Sequence, residues 1–437
     1  MTQFPLEWIR SQFPALSRQD NGRPVAYFDG PAGSQVPQSV ADAVSRYLLT
    51  TNSNRGGVFP VAKASDAIVD AAHASAAAFL GTEDPACTVF GANMTTLTLA
   101  LSRALARTWK PGDEVIVTRL DHDGNVTPWV LAARDAGATV KHVEVNLDDA
   151  TLNQDSFRAA LSPRTKLVAI GYASNVTGTI NPIAPMIAAA KETGALTFID
   201  AVHYAPHGSI DVTELNCDFL ACSAYKFFGP HVGLLYGRRQ LLEDILPYKL
   251  RVSSNQLPGK WMTGTQPHES LAGTAAAIEY LANLGRQCVS QREGEAPAEP
   301  RSHESVLPRS GSAGASPSRQ ELQAAFAAIH AHEQSLSQRM LAGLTTLRDY
   351  RVWGITDPAR IDERVPTFSL THTRFTPGEL AERLAADGLY TWHGNHYGMP
   401  FCEAAGLEPH GTLRIGFLHY NTLEEVDRVL AKLGDLA

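Results

Sequence analysis

The chain has 437 residues, 44% hydrophobic and 19% charged, the proportions of a globular enzyme long enough for two domains. Its 37 basic and 45 acidic residues leave a net charge of −8, and no basic run would track a phosphate backbone, so nucleic acid is not an expected partner. Cys87, Cys217, Cys222, Cys288 and Cys402 show no C-x-x-C spacing, which argues against a disulfide framework and a metal site, and with no signal-peptide core or bilayer-length apolar run the expectation is a cytoplasmic protein without a membrane partner.

The first predicted element is a short amphipathic helix over residues 4–10. A strand then enters the glycine turn Asp29-Gly30-Pro31-Ala32-Gly33, where Asp29 is placed to cap the turn and the glycines let main chain approach a ligand or a partner subunit; a plain tight turn explains them equally. Pro37 opens a helix predicted to reach about residue 49. A second helix covers 62–80 and stops at Gly81. Arg55, in the glycine-rich loop between them, reads either as an anion contact or as a solvated side chain.

From Thr88 onward apolar strands alternate with helices. Strands are expected over 88–90, 114–118, 139–145, 166–170, 196–199 and 218–221, with helices near 94–105, 126–136 and 185–193. Such alternation predicts an α/β fold with a mostly parallel sheet covered on both faces, whose strand ends are the places for ligands. Gly91-Ala92-Asn93-Met94-Thr95-Thr96 joins a strand to a helix start, where free amides attract a phosphate and Thr95 adds a hydroxyl. Asp121-His122-Asp123-Gly124-Asn125 offers an imidazole to stack on a ring, and Ser174-Asn175-Val176-Thr177 offers an amide. Asp200 and His203 end a further strand. Each has a structural alternative, Thr95 as a helix N-terminal residue, His122 and Asn175 as turn formers, His203 as a satisfied core residue. Their recurrence at successive strand ends points to one shared pocket.

The run Cys222-Ser223-Ala224-Tyr225-Lys226-Phe227-Phe228-Gly229-Pro230 follows the next strand. A lysine confined between hydroxyl residues and an apolar turn loses hydration and becomes a candidate for Schiff-base chemistry. A surface lysine beginning a turn is the alternative. An acid at one strand tip and a lysine at the next is what pyridoxal phosphate requires, with the lysine on the aldehyde and the acid on the pyridine nitrogen.

Residues 272–284 are helical by pattern, and 286–319, with its Glu-Gly-Glu-Ala-Pro and Ser-Gly-Ser-Ala-Gly stretches, reads as a flexible insertion dispensable for catalysis. The pattern resumes with a helix over 321–347, strands over 365–371, 389–392 and 412–417, and helices near 377–386 and 423–433, a smaller α+β domain. The expected organisation is therefore an N-terminal segment over 1–30 that packs on the small domain, a large domain over 31–285, a disordered insertion over 286–319 and a small domain over 320–437.

With the strand-end Asp-x-x-His of Asp200 and His203, the Ser-x-Tyr-Lys-Phe-x-Gly-Pro run, the pair Gly264-Thr265, and Arg414 before Tyr420-Asn421-Thr422, the chain resembles the cysteine desulfurase and selenocysteine lyase branch of the class V aminotransferases, of fold type I with a seven-stranded-type sheet. The resemblance implies that Lys226 holds pyridoxal 5'-phosphate as a Schiff base and shuttles a proton, that Asp200 pairs with the pyridinium nitrogen, and that His122 stacks over the ring. It places Asn175 and His203 at the phenolic oxygen, and Thr95, Ser223 and Tyr225 at the phosphate, with Tyr225 replacing a commoner histidine. Thr265 would reach the phosphate from the second subunit of a homodimer with shared sites, and Arg414 would grip the carboxylate of a small amino-acid substrate. In the desulfurases a mobile cysteine in a His-His-Cys-x-Met-Pro setting takes up the sulfur; the matching run here is Asn395-His396-Tyr397-Gly398-Met399-Pro400. Tyr397 stands where that cysteine belongs, and Cys402 substitutes only if the loop is displaced. The implied activity is desulfurase-like C–S or C–Se cleavage without the persulfide cysteine. Transamination or epimerisation of another amino acid uses the same groups, and a non-catalytic binding relative is the alternative from a different class.

Overall fold

The computed structural model describes residues 4–293 and 317–437. Seven strands form the central sheet: β1 (Thr88–Gly91), β2 (Glu114–Thr118), β3 (Thr139–Val143), β4 (Thr165–Gly171), β5 (Leu196–Asp200), β6 (Phe219–Ser223) and β7 (Gly233–Gly237). Their order is β1-β7-β6-β5-β4-β2-β3, with β7 antiparallel to both neighbours and the β6-β5-β4-β2-β3 run parallel. Strands β2, β6 and β7 are buried at every position, because helices cover both faces and leave no solvated side for polar alternation. The expected parallel α/β sheet is thus present, and its carboxyl edge collects the connections that carry polar residues.

A second sheet lies beyond residue 344: β8 (Tyr350–Trp353), β9 (Thr367–His372), β10 (Trp392–Gly394) and β11 (Thr412–Gly416), antiparallel in the order β8-β9-β11-β10. Helices Pro377–Ala385 and Leu423–Asp435 supply apolar residues to its core. Helix Arg319–Leu344 joins the two units, since Leu322, Phe326 and Ile329 enter the large core while Leu336, Met340 and Leu344 enter the small one. The N-terminal segment touches both. Ala26 and Tyr27 pair with Leu389 and Tyr390, and Ile9 and Phe13 enter the large core.

Several boundaries differ from the sequence expectation. The helix from Gln38 ends at Arg46 and continues as a widened turn over Tyr47–Thr51. Helix His268–Glu293 extends into the segment expected to be a disordered insertion, and helix Arg319–Leu344 takes its last residue. The cause is tertiary: Gly285 packs against the Glu321 main chain so closely that no side chain fits, and Arg286 pairs with both Glu279 and Glu321. Packing between two helices sustains a turn that local pattern does not. The centre of that segment, 294–316, lies outside the described residues. Strand β8 has no counterpart among the expected strands, because Tyr350-Arg351-Val352-Trp353 is short and lacks clean alternation. Among the described residues no helix is long and apolar enough to cross a membrane.

Candidate active site

The carboxyl edge of the large sheet and β11 of the small domain enclose a cavity of about 840 Å³. Lining it are Thr95, His122, Asn175, Asp200, His203, Ser223, Tyr225, Lys226 and Arg414. Those nine expected site residues come from six separate stretches of chain, so their convergence is a product of the fold. Thr265 is the exception, exposed on a loop outside this cavity.

Lys226 closes a three-residue 3₁₀ turn that leaves β6 at Ser223. Its Nζ donates to the main-chain oxygens of Pro31 and, at 3.1 Å, Ala32, so the glycine turn after Asp29 serves as a cradle for the amine. Burial, then the nearby Arg414 guanidinium, pull the amine down from 10.5 to about 7, against the opposing pull of Asp200 and Asp29. The side chain is 7% exposed. A neutral amine is the nucleophilic form. Trapping of a small aldehyde by borohydride should therefore rise about tenfold per pH unit up to about pH 7 and level off above it, read as labelled protein by mass spectrometry. A rise that continues unbroken to pH 10 would place the lysine in water.

Asp200 ends β5, and its Oδ1 accepts the Val202 N–H at 2.9 Å. Burial raises its carboxyl to about 7, with the Val202 N–H and Lys226 pulling the other way. Across the sheet its register partner is Gly171, whose N–H is accepted by Asp121 Oδ1 at 2.8 Å. Asp121 Oδ2 also accepts from Asn125 Nδ2 at 2.8 Å. Two buried acids thus share the floor, and burial raises Asp121 to about 7 as well. Asp121 is not among the expected site residues; its signal in the sequence is an acid within the strand-end run that carries His122.

The first turn of helix Met94–Ala106 forms one corner of the cavity. Asn93 Oδ1 accepts the Thr96 N–H at 2.8 Å, Ser223 Oγ accepts the Met94 N–H at 3.0 Å, and the Thr95 amide, in that turn, has no intrahelical acceptor. Gly233 makes this approach possible, since a Cβ there would meet the Asn93 carbonyl carbon at 2.4 Å. Tyr225 stacks on His231 with centroids 4.9 Å apart.

His122 and His203 are held in the neutral form. Burial first, then Lys226 and Arg414, lower His122 to about 4; burial first, then His207, Lys226 and Arg414, carry His203 well below its ordinary value. His203 Nε2 lies 3.0 Å from Thr367 Oγ1. Asn175 donates Nδ2 to the His396 carbonyl at 2.8 Å, while its buried Oδ1 has no partner in this structure. Its main-chain oxygen accepts from Arg414 Nη1 at 2.8 Å, leaving the rest of the fork for an incoming carboxylate. Burial lowers Arg414 to about 9, still charged at neutrality.

The loop at 394–398 forms the outer wall. His396 and Tyr397 have φ of 56° and 57°, a left-handed geometry that costs roughly 1–3 kcal/mol each in non-glycine residues. Several contacts hold it: the Asp123 N–H donates to Tyr397 O at 2.7 Å, the Tyr397 N–H to Asn395 Oδ1 at 3.1 Å, and His396 Nε2 lies 3.1 Å from Thr412 O. The Tyr397 ring stacks on His122 at 5.3 Å and 26°. No cysteine is among the described residues that line the cavity. Cys402 is fully buried, and burial pushes its thiol up to about 12.

The class-V aminotransferase family profile matches residues 26–302 and 320–429. A probable cysteine desulfurase of Vibrio cholerae is 30% identical, covering 98% of this chain and 97% of its own length. The aminotransferase-like protein FGM3 of Gibberella zeae is 31% identical, with 99% and 98% covered. Among solved structures, the apo cysteine desulfurase of Thermococcus onnurineus superposes with a TM-score of 0.83 at 23% identity over 100% of this chain and 98% of that one, a likeness of fold. The Escherichia coli cysteine desulfurase CsdA gives 0.79 at 25% identity, over 99% and 98%.

Proposed function

The chain belongs to the class-V aminotransferase family, in its cysteine desulfurase-like branch, and from that premise we propose that it is a pyridoxal-phosphate enzyme cleaving the C–S or C–Se bond of a small amino acid without storing the chalcogen on a cysteine of its own. The observation that carries this reading is the convergence of Lys226, Asp200 and Arg414 on one cavity. The donor set fits the cofactor: an amine, an acid beyond it, neutral imidazoles, and a helix N-terminus flanked by hydroxyls. The buried, unpartnered Oδ1 of Asn175 marks a wall of this cavity with unused hydrogen-bonding capacity.

In this reading Lys226 holds the aldehyde, Asp200 the ring nitrogen, and His122 covers the ring. Asn175 and His203 flank the phenolic oxygen, and Thr95, Ser223 and Tyr225 hold the phosphate, joined by Thr265 of a second copy in a homodimer. Bound there, pyridoxal phosphate supplies an electron sink for charge developing at the substrate Cα. Arg414 receives the substrate carboxylate and so fixes Cα. Lys226 Nζ, largely neutral above about pH 7, accepts the α-proton. Cys402 is buried and protonated, and the phenol of Tyr397 cannot form a persulfide, so sulfur leaves as a small molecule.

The test is release of sulfide together with pyruvate and ammonium from L-cysteine by the reconstituted protein, or of sulfide together with alanine when an added dithiol supplies the two electrons. Cys402→Ala should turn over like the wild type. A variant that loses sulfide release while keeping its fold would sink direct release. Transamination is the second reading, favoured by the resemblance to an aminotransferase-like protein, and amino-group transfer to a keto acid without sulfide would establish it.

A further inference from the structure

The mouth of the active cavity carries aromatic side chains that cysteine itself would leave unused. Trp392 is the register partner of Arg414 across antiparallel strands β10 and β11, so the indole stands beside the guanidinium on one face of the sheet. Tyr397 lies against His122 on the wall formed by the strained loop, and both rings line the cavity. Trp392 is 52% exposed and Tyr397 72% exposed. A substrate anchored by its carboxylate at Arg414, with Cα toward the buried Lys226, has its side chain beside Trp392, the register partner of Arg414. Trp392, His393 and Tyr397 line the same cavity. The thiol of cysteine ends one atom beyond Cβ and would leave both rings wet, whereas a larger apolar group would cover them and bring sulfur against aromatic faces.

We propose that the substrate is a cysteine thioether whose sulfur carries an apolar, planar substituent that packs against Trp392 and Tyr397. The proposal rests on the C–S cleavage reading and names its substrate class. Lys226 Nζ takes the α-proton, the Cβ–S bond breaks with its electron pair going to sulfur, and the sulfur takes a proton and leaves as a thiol. The three-carbon remainder takes up water to give pyruvate and ammonium, with no oxidant or reductant consumed. A thiol is a finished product, which accounts for a site with no cysteine to receive sulfur.

The experiment compares S-benzyl-L-cysteine with L-cysteine in two readouts: calorimetric binding to the cofactor-free protein, and thiol or sulfide release by the reconstituted enzyme. The wild type should bind S-benzyl-L-cysteine tighter by roughly tenfold or more. Trp392→Ala and Tyr397→Ala should each erode that preference and raise KM for the thioether more than they lower kcat, while Tyr397→Phe, which keeps the ring, retains it. Equal binding of the two ligands, or a preference that survives both alanine variants, overturns the proposal while sulfide release from L-cysteine still supports the function. An altered subunit mass by light scattering in Trp392→Ala with ligand preference unchanged assigns the ring to a subunit contact and also overturns it. A preference for the thioether without thiol release sinks the C–S cleavage reading and this proposal with it.

Discussion

Replacing Lys226 by alanine is expected to remove covalent attachment of pyridoxal phosphate and to lower turnover by on the order of 10³-fold or more, since one side chain both holds the aldehyde and moves the α-proton. The measurement is the absorbance band of the reconstituted protein and its loss on borohydride reduction, present in the wild type and missing from the variant. Persistence of a reducible band in Lys226→Ala would move the attachment to another amine. A linked effect comes from the amine's titration. Its folded-state value of about 7 lies below the ordinary 10.5, so between those limits the unfolded chain binds more protons than the folded one. The wild type should therefore gain stability relative to Lys226→Ala as pH rises from about 7 toward 10.5, measured by denaturant titration of the cofactor-free proteins.

Asp200→Asn is expected to leave attachment intact and to lower kcat by about 10²–10³-fold, the scale seen when one preorganised electrostatic partner is removed. The amide matches the carboxylate in size and still accepts the Val202 N–H, so the end of β5 should keep its conformation. What it loses is the negative charge that would hold a proton on the ring nitrogen. The discriminating readout is the pair of observations: a borohydride-reducible band like that of the wild type, with turnover collapsed. Wild-type turnover in this variant would remove Asp200 from the chemistry.

Much of the fold was legible because apolar periodicity reports burial locally. Strands β2, β4, β5 and β6 were placed within two residues or better at each end, and Gly81, at φ 76°, stops its helix where expected. Site residues at strand ends could be nominated because a parallel sheet delivers its carboxyl edge to one side. The role of the turn at Asp29 was open, since nothing local says that the carbonyls of Pro31 and Ala32 will meet an amine about 195 positions away. Trp392, expected only as the end of a strand, carries no site role in the sequence for the same reason. It becomes interesting only once antiparallel pairing sets it opposite Arg414.

The sequence by itself determined the alternating α/β architecture, the family, and the chemical types at the carboxyl edge of the sheet, because hydrophobic period and motif spacing are properties of short stretches. Tertiary structure alone decided the state of those groups. It buried Lys226 beside Arg414 and so brought its amine to about 7, it sealed Cys402 in the core, and it set Tyr397 over His122. Desolvation and Coulomb interactions depend on what surrounds a group in space, and that neighbourhood exists only after distant segments have packed.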